Sequence, residues 1–162
     1  MRNDRREILR KRLGKLQRHY AALDEYHGLI TELEKRKDLY DPEVFQTLKG
    51  YERAVLDAYL KRHSSLQDYL GAKVFPLLLE SAGIPTDRMS QVLAMVEREG
   101  IIESLQDWIE LREIRNDLEH DYPGDLRAAL SALKTCVSGF AKLEKYYRNT
   151  IGFLRGNGDP TL

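Results

Sequence analysis

Cysteine occurs once in this chain, at Cys136, so no intrachain disulfide can staple the fold. Its neighbours Leu133, Val137 and Phe140 make it a small buried hydrophobe on simple patterning. Net charge is also lacking, because Lys+Arg 26 is cancelled by Asp+Glu 26. No whole-molecule field therefore draws the chain onto a polyanion. A nucleic-acid partner would have to be held by a local patch, or by two patches joined in an oligomer. No apolar run reaches the roughly 20 residues of a membrane-spanning helix. The opening Met1-Arg2-Asn3-Asp4-Arg5-Arg6-Glu7 lacks the apolar core of a secretory signal, and the expected compartment is the cytoplasm. There is no Gly-rich phosphate loop, no dinucleotide fingerprint and no Gly-x-Ser-x-Gly elbow. His19 and His27 share one helical segment without cysteine partners or paired acidic ligands, so no metal site and no cofactor is expected. His63 is expected at the surface.

What the sequence has in quantity is helical periodicity. From about Asp4 to Lys37, the residues Ile8, Leu9, Leu13, Leu16, Tyr20, Leu23, Tyr26, Ile30 and Leu33 recur at steps of three and four, which predicts one long amphipathic helix. Its first turns carry Arg2, Arg5, Arg6, Arg10, Lys11, Arg12, Lys15 and Arg18, which oppose the helix dipole. They form either a solvated face or an RNA-contacting patch. Asp41-Pro42 starts a second helix, with Asp41 as N-cap, that runs to about Ser81 and kinks before Pro76. Arg62 interrupts its apolar stripe and either snorkels outward or lines a polar cleft beside His63. Gly83 fits a helix end, Thr86 can cap a short helix of about Asp87 to Glu99, and Gly100 stops it. Ser104 opens the next helix, with Trp108, Leu111 and Leu118 on its apolar side. A turn at Pro123-Gly124-Asp125 precedes a last helix from about Leu126 to Leu154. The Tyr146-Tyr147 pair sits at stripe positions and reads as core or interface. No strand alternation or internal repeat occurs. The prediction is an all-α, antiparallel up-and-down bundle of about five helices, spanning 1–155 with a flexible tail at 156–162.

The chemistry gathers in Arg115-Asn116-Asp117-Leu118-Glu119-His120-Asp121-Tyr122, where a helix ends against Pro123. Metal-free RNA cleavage needs a group that moves a proton near neutral pH and a cation that neutralises the phosphate. His120 suits the first and Arg115 the second. Along an ideal helix the two positions lie about 500° apart, roughly 140° beyond a full turn. A bend at the helix end, or a second copy of the chain, would have to complete the pair. Asn116 either hydrogen-bonds the phosphate and orients His120, or is an ordinary polar residue of a helix end. Asp117, Glu119 and Asp121 are awkward beside a polyanion. One of them is expected to pair with Arg115 or to raise the His120 pKa.

The Arg-Asn-x-x-x-His-x-Tyr spacing inside a helical frame resembles the HEPN-domain family, closest to its HepT-type ribonuclease toxins. The resemblance implies a HEPN-like bundle, catalysis by Arg115 and His120 with support from Asn116, and a homodimer whose two motifs face one cleft. It further implies an MntA-type nucleotidyltransferase as partner, which attaches AMP to Tyr122 and silences the toxin. A noncatalytic HEPN module that binds a nucleotidyltransferase, a nucleotide or RNA is the second reading. A plain helical interaction protein is the third.

Overall fold

The stripe of the N-terminal segment folds as one helix, α1 (Arg2–Arg36), with Leu9, Leu13, Leu16, Leu23 and Ile30 all buried. The computed structural model describes residues 2–120 and 125–157, with residues 2, 119 and 120 described by their backbone alone. Among the described residues the fold is all-α. None of the helices is long and apolar enough to cross a membrane.

Asp41 caps α2 (Pro42–Gln46) as expected, its carboxylate accepting from the Glu43 and Val44 amides at 2.9 and 3.2 Å. The helix does not run on from there. Thr47 turns both its amide and its hydroxyl onto the Val44 carbonyl and closes the turn. The chain restarts as α3 (Gly50–Tyr69). Buried Glu52 ties this start down, accepting from the Lys49 amide and the Lys37 ammonium, both at 2.9 Å.

The kink expected before Pro76 is a π-helical turn, Leu70–Val74, leading into α4 (Phe75–Ser81). Proline has no amide to donate and crowds the preceding turn, so the ladder widens there. Arg12 of α1 donates to the Lys73 carbonyl at 2.8 Å within the widened turn.

Helix α4 and α5 (Met89–Arg98) end in the same way. Gly83 and Gly100 hold φ of +78° and +76°, and the amide after each glycine bonds the carbonyl five residues back, Ile84 to Leu79 and Ile101 to Val96. A Cβ is strained in that conformation, so Gly100→Ala is expected to lower stability by about 1–2 kcal/mol. Urea denaturation measures this, and an unchanged midpoint would contradict the strain. Thr86 does not cap α5, contrary to expectation. The helix begins after Arg88, and the Gln91 side chain accepts from the Asp87 amide at 2.7 Å instead.

Ser104 caps α6 (Leu105–His120) through the Asp107 amide at 3.2 Å, and Asp125 caps α7 (Leu126–Ser138). The last helix was expected to be continuous, but it breaks at Gly139 into α7 and α8 (Phe140–Gly156). The buried Tyr59 phenol donates to the Cys136 carbonyl at 2.9 Å, just before the break, and a side chain inserted into the helical ladder bends it. Gly139 itself passes so close to α6 that a Cβ there would lie 2.5 Å from a Leu111 methyl. All five expected helical stretches are present, two of them subdivided for these reasons. Helix α8 reaches Gly156, and residues 158–162 of the expected tail lie outside the described residues.

Helix α3 is the axis of the bundle. Helix α1 runs antiparallel along it, with Arg12 opposite Lys73, His19 opposite Arg62 and Lys37 opposite Glu52. Helix α6 lies on another flank, with Trp108 against Gly71 and Arg115 against Gln67. Helix α8 closes the bundle onto α1, where Tyr20 stacks on Tyr147 at 4.2 Å and His27 on Phe140 at 4.0 Å. Tyr146 is buried against Trp108, so the tyrosine pair serves packing. Cys136 is fully buried.

Candidate functional site

Arg115 lies on the buried stripe of α6, between Leu111 and Leu118 at the helical spacing of core residues. An apolar side chain would be expected at such a position. The facing stripe of α3 is interrupted in the same way, by His63 and Gln67 among Tyr59, Leu66 and Leu70. Two polar interruptions therefore meet inside the α3–α6 interface.

Their contacts are specific. Arg115 Nε donates to Gln67 Oε1 at 3.2 Å, and Gln67 Nε2 donates in turn to the Trp108 carbonyl at 2.9 Å. The two Nη groups of Arg115 face the Asp68 carboxylate as a fork, one at 3.4 Å and the other closer. A planar guanidinium suits such a two-point contact. The Arg115 side chain is 4 % exposed and that of Asp68 is 63 % exposed, so the pair spans the boundary between core and solvent. Arg115 is thus paired from α3, while of the motif's own carboxylates Asp117 is exposed and those of Glu119 and Asp121 lie outside the described residues.

His63 lies deeper and is 0 % exposed, and among the described residues neither ring nitrogen has a hydrogen-bond partner. The expectation of a surface histidine is overturned, because position 63 falls on the face of α3 that carries Tyr59 and Leu66. Burial and, secondarily, the nearby Arg115 charge push its pKa down to about 3, so the ring is neutral at physiological pH.

The rest of the motif is placed less fully. Helix α6 stays regular through His120, so no bend brings position 120 round to the side of Arg115 within the helix. The His120 side chain lies outside the described residues, as do Asp121, Tyr122, Pro123 and Gly124. Asn116 is half-buried and Asp117 exposed. Arg62 turns to α1, where its Nη1 lies 3.3 Å from His19 Nδ1, and so does not line a cleft with His63. Among the described residues no group of three or more His, Cys, Asp or Glu side chains could hold a metal ion.

Sequence reasoning missed Gln67 and Asp68. The signal was present in the spacing of Leu111, Arg115 and Leu118, which puts the arginine on the core side, where it needs an acceptor from a neighbouring helix. No family model, curated protein or solved structure matches this chain. The site's chemistry therefore has to be read from its geometry. It holds an arginine oriented at three points at the edge of the core, one turn before the end of its helix, with a histidine at that helix end.

Proposed function

We propose that this chain is a metal-independent endoribonuclease of the HEPN, HepT-like kind, the toxin of a type VII toxin–antitoxin pair. The observation that carries this reading is the fixed Arg115, held by Gln67 and Asp68 on the helix that ends at His120. A guanidinium whose rotamer is already set loses little freedom on meeting a phosphate. A phosphate arriving there shares the guanidinium with Asp68 or displaces it, and Arg115 then stabilises the charge on the phosphoryl oxygens. His120 takes the ribose 2′-OH proton, the 2′-oxygen attacks phosphorus, and the 5′-oxygen leaves with a proton from an acid. The products are a 2′,3′-cyclic phosphate and a free 5′-hydroxyl. The test is wild-type protein incubated with RNA in EDTA. Cleavage with those ends is expected, and intact RNA, or cleavage that requires metal, would end the reading.

One histidine per motif serves as base or acid, and the helical backbone sets position 120 about 500° along the helix from position 115, roughly 140° beyond a full turn. Two copies facing one groove would supply both histidines. A homodimer at micromolar concentration in sedimentation is expected, and cleavage by a monomer would reject it. The partner in this reading is an MntA-type nucleotidyltransferase that transfers AMP from ATP to the Tyr122 phenol, releasing pyrophosphate. Bulk and negative charge would then repel RNA. Tyr122→Phe is expected to keep most cleavage and escape silencing. Intact mass after incubation with partner and ATP measures this, and equal AMP incorporation in both proteins would place the modification elsewhere.

The burial of Arg115 supports a second reading, a noncatalytic HEPN module in which the Arg115–Asp68 pair is structural and the chain binds the nucleotidyltransferase. The EDTA assay separates the two.

A further inference from the structure

Where α1 packs along α3, the cations Lys15, Arg18 and Arg62 gather around His19 and Tyr69. Arg62 Nη1 lies 3.3 Å from His19 Nδ1. Arginine only donates, so Nδ1 accepts and the ring proton sits on Nε2. The Lys15 ammonium stands 5.2 Å from the centre of the Tyr69 ring, and the same ring lies 5.5 Å from that of His19. Arg18 follows Lys15 by three residues on the outer side of α1, and both are exposed. Among the described residues no ion pair engages Lys15, Arg18 or Arg62. The neighbouring basic residues of α1 differ in this respect. Arg5 pairs with Glu80, Lys11 with Glu7, and Arg12 bonds a carbonyl. The crowding is felt by His19, whose pKa is lowered first by burial and then by Arg62, Lys15 and Arg18.

Like charges held together without a counter-charge repel each other unless an anion joins them. The place of this cluster in the fold says which anion. Tyr69 directly follows Asp68, the residue that grips Arg115, and adjacent Cα atoms are ~3.8 Å apart. Two cationic stations, Arg115 and the α1–α3 cluster, thus touch neighbouring residues at the end of α3, Asp68 and the half-buried Tyr69. A chain of phosphates offers an anion to each. Cations interleaved with aromatic rings suit a single strand, whose backbone and bases they hold without reading sequence.

We propose that Lys15, Arg18, His19 and Arg62 form a phosphate-binding subsite that carries the backbone of a single-stranded nucleic acid away from Arg115 across the α1–α3 face; the choice of partner rests on the ribonuclease reading. The contacts are to phosphate, so the subsite takes deoxyribose and ribose strands alike. This makes it testable apart from catalysis, because DNA lacks the attacking 2′-OH.

The experiment is fluorescence anisotropy of a labelled single-stranded deoxyoligonucleotide against the full chain over a range of salt. The Lys15→Gln/Arg18→Gln/Arg62→Gln variant is expected to bind about tenfold or more weakly, and its log–log salt slope to fall by about 2, since each phosphate contact on a single strand contributes about 0.7. Lys15→Glu alone, at an exposed position, should weaken binding in the same direction and keeps the test open should the triple variant unfold. In the wild type, an NMR titration should show the His19 pKa rising when the oligonucleotide binds, as a phosphate replaces repulsion with attraction. Variants that bind like the wild type, or a His19 pKa that does not move, would overturn the subsite even if RNA is cleaved. Weakened binding in the variants alongside a wild type that never cleaves RNA would uphold the subsite and reject the ribonuclease.

Discussion

His120→Ala is expected to lower RNA cleavage by about 10²–10⁴, the usual contribution of one positioned general acid or base, with the thermal melt unchanged. Position 120 follows the buried Leu118 by two residues on α6. Arg115 is the less clean probe. It is 4 % exposed and bonded to both Gln67 and Asp68, so Arg115→Ala opens a cavity and strips Gln67 of a partner. Breaking a fully buried pair costs about 3–5 kcal/mol, and the exposed Asp68 can rehydrate, so about 2–3 kcal/mol is expected here. Lost activity in that variant would mix folding with chemistry. Arg115→Lys keeps the charge but loses the two-point grip, and is expected to cleave poorly while remaining folded. Cleavage assays paired with thermal melts separate these effects. Wild-type cleavage by His120→Ala would remove the histidine from the mechanism.

The second large effect concerns stability and acid. His63→Leu is expected to stabilise the fold by about 1–3 kcal/mol at pH 7, because it replaces two unpartnered buried nitrogens with a side chain of similar size. The gain should widen on acidification. Below its ordinary pKa of 6.5 the unfolded-state histidine takes up a proton, whereas in the fold burial and the Arg115 charge hold the ring neutral down to about pH 3. The unfolded state therefore binds more protons throughout that window. Stability then falls by about 1.4 kcal/mol per pH unit as pH drops, or about 2 kcal/mol between 6.5 and 5. His63→Leu removes this term. Urea denaturation of both proteins at pH 7 and pH 5 measures it, and a stability difference that stays the same at the two pH values would show that His63 is not the titrating group. The fold gives up stability where its two polar stripes meet, which is also where Arg115 is held.

His63 was expected at the surface, while the place of His63 and Arg115 on the apolar stripes of α3 and α6 is legible in their spacing. Leu111, Arg115 and Leu118 share one helical face, and so do Tyr59, His63, Leu66 and Leu70. Asp68 could not be found this way. It is an exposed acidic residue on a helix rich in charge, and only the packing of α6 onto α3 marks it as the partner of Arg115. Arg62 is half-buried and reaches His19, because the antiparallel register of α1 against α3 brings the two together.

The sequence by itself determined the helical class, the five helical stretches, the caps at Asp41 and Ser104, the glycine stops at Gly83 and Gly100, and the kink before Pro76. These are local matters, decided by spacing, side-chain oxygens, backbone freedom and a missing amide within a few residues of the place they act. Tertiary structure decided the rest. The break at Gly139 depends on a phenol arriving from Tyr59, far away in the chain. The anchoring of the start of α3 depends in part on Lys37 reaching Glu52. The setting of Arg115 depends on Gln67 and Asp68, and the neutrality of His63 on its burial near the Arg115 charge. Each of these joins residues on different helices, and the relative register of two helices is set by packing, which periodicity along one strand of sequence does not encode.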